Sequence, residues 1–110
     1  MAREVVRTIR EEGLIDRGRE IAAQLVGGLT AIKAHTRHIR DIRARGLMVA
    51  LELHDDPEAS FTIRTHRELI RRGFLVGRRA GVSVLRIDPS LTIHPEDIED
   101  FLGELKDVLD

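Results

Sequence analysis

Few side chains in this sequence could do acid–base, nucleophilic or metal chemistry, and they are scattered. There are five histidines, the two lysines Lys33 and Lys106, and no cysteine. Without cysteine there is no disulfide framework, no thiolate nucleophile and no Cys-based zinc site. His35 and His38 stand three apart, close enough to share one metal on a helix, but no third ligand is evident. His54-Asp55-Asp56, followed by Pro57, reads as a turn closing a strand. Ser60, Ser83 and Ser90 lack the Gly-x-Ser-x-Gly elbow of a serine hydrolase. No Walker sequence or Gly-x-Gly-x-x-Gly occurs, and Gly73, Gly77 and Gly81 punctuate strands and turns rather than a phosphate loop.

Arg86 is different, because VLRIDPSLTI (84–93) sets a guanidinium inside a run of β-forming apolar residues. On a strand Val84, Arg86 and Asp88 share one face while Leu85 and Ile87 share the other. One reading is a half-exposed strand with its arginine in solvent. The other is an arginine facing a cleft, where its planar fork matches the two oxygens of a carboxylate. Spacing leaves both readings open.

The elements that would position Arg86 follow from periodicity. Val5, Val6 and Ile9 share a helical face, and Gly13 is placed to cap that helix at its C-terminus. Ile21, Ala22, Leu25, Leu29 and Ile32 then continue at spacings of three and four to about Lys33, giving two consecutive helices or one long kinked helix. A short strand is expected over Ile39–Arg43. RGLMVALELH carries the strongest β signal, with Leu47, Val49, Leu51 and Leu53 on one side and Met48, Ala50 and Glu52 on the other. Thr62–Arg72 reads as a helix with Ile63, Leu69 and Ile70 inward and Gly73 at its C-cap, followed by a strand at FLVG. Arg78–Gly81 turns the chain into a strand at VSVLRI. Pro95, Glu96 and Asp97 open a final helix whose stripe is Ile98, Phe101, Leu102, Leu105, Val108 and Leu109.

This order predicts an α+β fold, an α/β sandwich in which a small, largely antiparallel sheet is covered on one face by helices. The 110 residues fit a single domain over 1–110: a helical lead-in at 3–33, sheet and helix at 39–88, and a C-terminal helix at 95–109. Charge is balanced overall at −1 but uneven. Residues 35–93 hold eleven Lys/Arg against seven Asp/Glu, and residues 94–110 hold one against seven. Three Phe and no Trp or Tyr offer little for base stacking, so a nucleic-acid partner is not expected. There is no signal peptide and no run able to span a bilayer, so a soluble, cytoplasmic protein without a membrane partner is the expectation.

Two stretches resemble a known family. IRARGLMVALEL (42–53) is similar to the V-R-G-x-G-L-M-x-G-x-E segment of class III pyridoxal-phosphate aminotransferases, the group of the 4-aminobutyrate, ornithine, acetylornithine and putrescine enzymes. VLRIDPSLTI resembles that family's L-R-x-x-P-P-L-T-I, and EEGLIDRGREIAAQL (11–25) its helical lead-in. Ala44, Ala50, Ser90 and His94 depart from the pattern, and Ala44 puts in doubt a backbone conformation there that needs φ > 0.

The resemblance implies the C-terminal small domain of a fold-type-I enzyme that passes an amino group from an amine or amino acid to a 2-oxo acid. It implies pyridoxal 5'-phosphate in a homodimeric full-length enzyme, with Arg86 binding a substrate carboxylate or pairing with an internal one. Neither Lys33 nor Lys106 lies in anything like the family's cofactor-lysine strand. The chain alone is therefore expected to be inactive and without bound cofactor, and to lack the large domain as its partner. Alternatives are a free-standing α+β binding or regulatory module, or a nucleic-acid-binding domain using Arg37, Arg40, Arg43, Arg45, Arg71, Arg72, Arg78 and Arg79.

Overall fold

In a computed structural model the backbone is described for residues 2–79 and 81–110, and the side chains for residues 13, 15–79 and 81–110. Seven elements follow in the order α1 (Ala2–Lys33), β1 (Ile39–Arg45), β2 (Met48–Leu53), α2 (Ser60–Arg71), β3 (Gly77–Arg78), β4 (Val84–Ile87) and α3 (Pro95–Leu109). The strands form one antiparallel sheet in the order β1-β2-β4-β3.

The alternation in β2 decides which way the sheet faces. Val49, Leu51 and Leu53 are buried while Met48, Ala50 and Glu52 are half-buried. Leu85 and Ile87 of β4 continue the buried side, and Arg86 lies on the other. Ile21, Leu25, Leu29 and Ile32 of α1 and Ile98, Phe101, Leu102, Leu105 and Leu109 of α3 complete the core against the buried side. Each such side chain contributes about 1.5–3 kcal/mol on leaving water. α1 packs on β1 and β2, α2 on β3 and β4, and α3 against both helices, so the helices cover one face as expected. A Cβ at Gly28 would overlap the side chain of Leu102, so glycine is what lets α3 approach α1 there.

Several local expectations need correction. α1 is a single helix, and Gly13 lies inside it rather than ending it. One helical glycine costs about 1 kcal/mol, which its helix-forming neighbours Glu11, Glu12 and Arg17 can carry. The expected face of Val5, Val6 and Ile9 lies outside the described side chains. β1 runs two residues beyond its expected end at Arg43, because a two-residue hairpin at Gly46-Leu47 keeps Arg45 paired with Met48. Gly46 has φ 58°, the left-handed conformation such a turn requires, and Ala44 sits in the ladder opposite Val49 with no such demand.

α2 begins two residues earlier than Thr62, and it buries Thr62, Thr65 and Leu69, leaves Ile63 half-buried and exposes Ile70. FLVG is not a strand; only Gly77–Arg78 pairs, and Leu75 is 93 % exposed. The reason is the end of α2. Gly73 at φ 96° closes a Schellman motif, with its N–H donating to Ile70 O and the Phe74 N–H to Leu69 O, and this turns Phe74 back onto the core.

The start of α2 is fixed from a distance. Asp55 Oδ1 accepts from the N–H groups of Asp56 (2.7 Å) and Phe61 (3.1 Å), and Oδ2 from the N–H and hydroxyl of Thr62, both at 2.7 Å. This lets Thr62 be buried with its hydroxyl satisfied. Ala59, just before the helix, takes a left-handed φ of 57° at a cost of about 1–2 kcal/mol. Desolvation pushes the Asp55 carboxyl up, but the hydrogen bonds from Thr62, Phe61 and Asp56 together outweigh it and hold the pKa at about 2, below the usual 3.8.

Asp55→Ala should therefore cost about 1–2 kcal/mol at neutral pH, the range for losing a helix N-terminal acceptor. Because the folded-state pKa is depressed, this contribution is fully present above the unfolded value and is lost as pH falls from 3.8 through about 2. Urea unfolding of the two proteins should show a gap at pH 7 that closes toward pH 2. A gap that persists unchanged at pH 2 would contradict this role.

Candidate functional site

The open face of the sheet bears Arg86. The register sets Ala50 of β2 on one side of it and Gly77 of β3 on the other, with Arg43 of β1 beyond Ala50 in the same row. Two of the smallest side-chain positions thus flank the guanidinium and leave a channel over the sheet. This channel widens into a concavity of about 890 Å3 whose lining includes Arg43, Glu52, Arg78, Arg79, Arg86 and Asp88.

Within it Arg86 is 62 % exposed and donates from Nε to Asp88 Oδ2 at 2.8 Å. Asp88 occupies one edge of the guanidinium. The Nη1–Nη2 edge has no hydrogen-bonded partner among the described residues and can take a carboxylate end-on. Glu52 is held by Arg43 Nη2 at 3.3 Å and Arg40 Nε at 3.8 Å. Both can reach it because a bulge between Ile39 and Asp41 shifts the register of β1.

Asp88 begins the connection from β4 to α3, and α1 fastens that connection. Arg17 donates from Nε to Leu91 O at 3.3 Å and from Nη2 to Ile93 O at 2.6 Å. α3 is entered through Pro95, with the Asp97 carboxylate accepting from the His94 N–H at 3.4 Å, so histidine at this cap leaves the helix start intact. Periodicity could not disclose Arg17, whose partners lie more than seventy residues away. The Arg86–Asp88 contact was implicit in their shared face at i and i+2.

The other candidates are not brought together. His35 and His38 lie after α1 rather than on it; His35 is exposed, and His38 stacks on Phe61 at 4.4 Å between ring centroids. No group of three or more potential metal ligands occurs among the described residues. Ser90 bonds Thr92 within its own loop. The basic residues do not form one stripe: Arg40 and Arg43 pair with Glu52, Arg71 with Glu68, and Arg72 reaches across from Glu68 on α2 to Glu104 and Asp107 on α3. Hydrogen bonds donated by Arg71 and Arg72 hold Glu68 at a pKa of about 2, and those that Arg72 donates to Glu68, Asp107 and Glu104 raise its own pKa.

Sequence and geometry define an α+β domain with helices on one face of its sheet and Arg86 in a concavity on the other. The chain belongs to the class III aminotransferases: the family profile, Aminotransferase class-III, matches residues 1–109. An ornithine aminotransferase of Bordetella pertussis is 36% identical over 109 residues, which is 99% of this chain and 25% of the relative. A 4-aminobutyrate aminotransferase of Mycobacterium tuberculosis is 33% identical over 97 residues, 83% of this chain and 21% of the relative. An aminotransferase structure from Bacillus anthracis superposes with a TM-score of 0.77 at 28% identity, over 98% of this chain and 26% of that one. The acetylornithine aminotransferase of Elizabethkingia anophelis shares the fold, with a TM-score of 0.81 at 21% identity over 92% of this chain and 25% of that one. The chain thus spans about a quarter of the length of the relatives it matches.

Membership implies pyridoxal phosphate in the full-length enzyme. The residues in hand do not fit that group. A lysine that holds an aldehyde cofactor must be freed of its proton, which burial or a cationic neighbour achieves. Lys33 and Lys106, the only lysines, are both exposed in the last turns of α1 and α3, and neither lines the concavity around Arg86.

Asp88→Asn should change stability by less than about 0.5 kcal/mol, because an exposed ion pair contributes little. The Arg86 Nε–H resonance should move. Urea unfolding and nitrogen-15 NMR check both, and an unmoved resonance would contradict the contact.

Proposed function

We propose that this chain is the carboxylate-recognising small domain of a class III aminotransferase, with Arg86 as the group that binds the substrate's carboxylate. The observation that carries the reading is the placement of Arg86 at the centre of the open face, between Ala50 and Gly77, with its terminal nitrogens unpartnered among the described residues. The full-length enzyme would transfer an amino group from an amine or amino acid to a 2-oxo acid, with pyridoxal phosphate supplying the electron sink. The relatives' names, ornithine and 4-aminobutyrate aminotransferase, favour donors that carry a terminal amine on a chain ending in a carboxylate.

On this reading the large cofactor-binding domain covers the open face and excludes water from Arg86, which strengthens a bidentate contact that solvent would weaken. The exposed Leu75 and an apolar hollow lined by Ile15, Ala22, Leu47 and Leu91 are further surface for that domain. The full-length protein is a homodimer of the cytoplasm. Among the described residues no helix is long and apolar enough to cross a membrane.

In the full-length enzyme Arg86→Ala should lower kcat/KM for the half-reaction with 2-oxoglutarate by roughly a hundredfold, the loss of a desolvated charge-assisted contact of a few kcal/mol. An unchanged rate and affinity would contradict the assignment. The 110-residue chain alone, supplied with pyridoxal phosphate, should show no transamination; measurable turnover would overturn its role as a domain without cofactor.

A further inference from the structure

We propose that Arg17 is a positioning residue for Arg86: by tying the segment after β4 to α1, it holds Asp88 where it engages the guanidinium. The proposal rests on the reading of Arg86 as a carboxylate site and places part of that site's control on α1. The chain between the two contacts has little slack. Only Pro89 and Ser90 separate Asp88 from Leu91. The ring of Pro89 locks its φ at about −65°. Ser90 is held twice within a tight turn, its carbonyl accepting from the Ile93 N–H at 3.1 Å and its hydroxyl from the Thr92 N–H at 3.1 Å. Arg17 donates to the carbonyls of Leu91 and Ile93 on this same turn, from Nε at 3.3 Å and from Nη2 at 2.6 Å. A displacement of the turn therefore reaches Asp88 with few torsions left to absorb it.

Apolar packing does not fix the turn by itself. The Leu91 side chain lies over Gly18 beside Leu47, and Ile93 packs on the edge of the core; such contacts are non-directional and let a turn slide or rotate. Among the described residues, Arg17 makes the only hydrogen bonds between residues 89–93 and the rest of the chain. Its planar fork engages two carbonyls at once, which sets the turn's rotation as well as its place. The contact at the far end needs that support. Both partners of the Arg86–Asp88 pair are exposed, and an exposed pair holds its own geometry weakly. The backbone beneath Asp88 must be fixed for its carboxylate to stay on Arg86 Nε and leave the Nη1–Nη2 edge presented.

The test is a double-substitution cycle on the nitrogen-15-labelled chain, reading the Arg86 Nε–H resonance without ligand. In an Arg17→Gln background, Asp88→Asn should move that resonance by less than about half of what it does in the unaltered chain. Arg17→Lys, which keeps a donor for the carbonyls, should restore most of the shift. Gln24→Ala, which removes a different tie from α1, to Pro95 O and Glu99, should leave it whole. Acetate titration at fixed ionic strength then reads the site itself, and R17Q should weaken binding about threefold, within the range of one exposed ion pair. A D88N shift of equal size with and without R17Q overturns the positioning role. So does an equal loss in Q24A, which would mark a general loosening of α1, or an acetate affinity that R17Q leaves unchanged. If the ligand-free cycle gives the expected result while acetate leaves Arg86 unmoved in every chain, Arg17 still positions the pair and the carboxylate reading of Arg86 fails.

Discussion

The fold depends on a period of two. Val49, Leu51 and Leu53 on β2, with Leu85 and Ile87 on β4, must face the helices, and the residues between them then have only the open face to occupy. A slip of one residue would drive Arg86 and Glu52 into the core and expose five apolar side chains, so the register is strongly specified. Among the described residues three helices satisfy the buried side, and none covers the other. The position of Arg86 is a consequence of core packing before it is a feature of any site.

That arrangement divides the labour of the chain. Its helical side packs against the sheet, with Gly28 admitting Leu102 and Arg72 joining α2 to α3. Its open side carries a guanidinium with small neighbours, oriented by Asp88, on a strand whose exit is fastened to α1 by Arg17. Binding groups set on strands keep their geometry better than groups on loops. What the open side lacks is equally specific, since both lysines are on solvent-facing positions of helices. The chain matches about a quarter of the length of its aminotransferase relatives.

Sequence periodicity was enough for β2, for α3 and for the buried stripe of α1, because in each the apolar spacing is long and uninterrupted. It failed where a local device overrode it. FLVG has the composition of a strand, yet the Schellman turn at Gly73 sends Phe74 inward and leaves Leu75 in water. Thr62 and Thr65 look like surface residues, but Asp55 satisfies the Thr62 hydroxyl from seven positions upstream, and Ile70 is 41 % exposed instead. Alternation alone put Arg86 on the open face. The proposal that it binds a carboxylate rests on the resemblance of VLRIDPSLTI to a family motif, while Ala50 and Gly77 as its flanks emerged only once the strand order was known.

The most direct measurement is a crystal structure of the full-length enzyme with a dicarboxylic substrate analogue bound. A carboxylate within about 3 Å of the Arg86 Nη atoms, with the open face of the sheet turned toward the large domain, is the expected result. An Arg86 directed into bulk solvent on the outer surface of the enzyme, with the analogue's carboxylates held elsewhere, would contradict it.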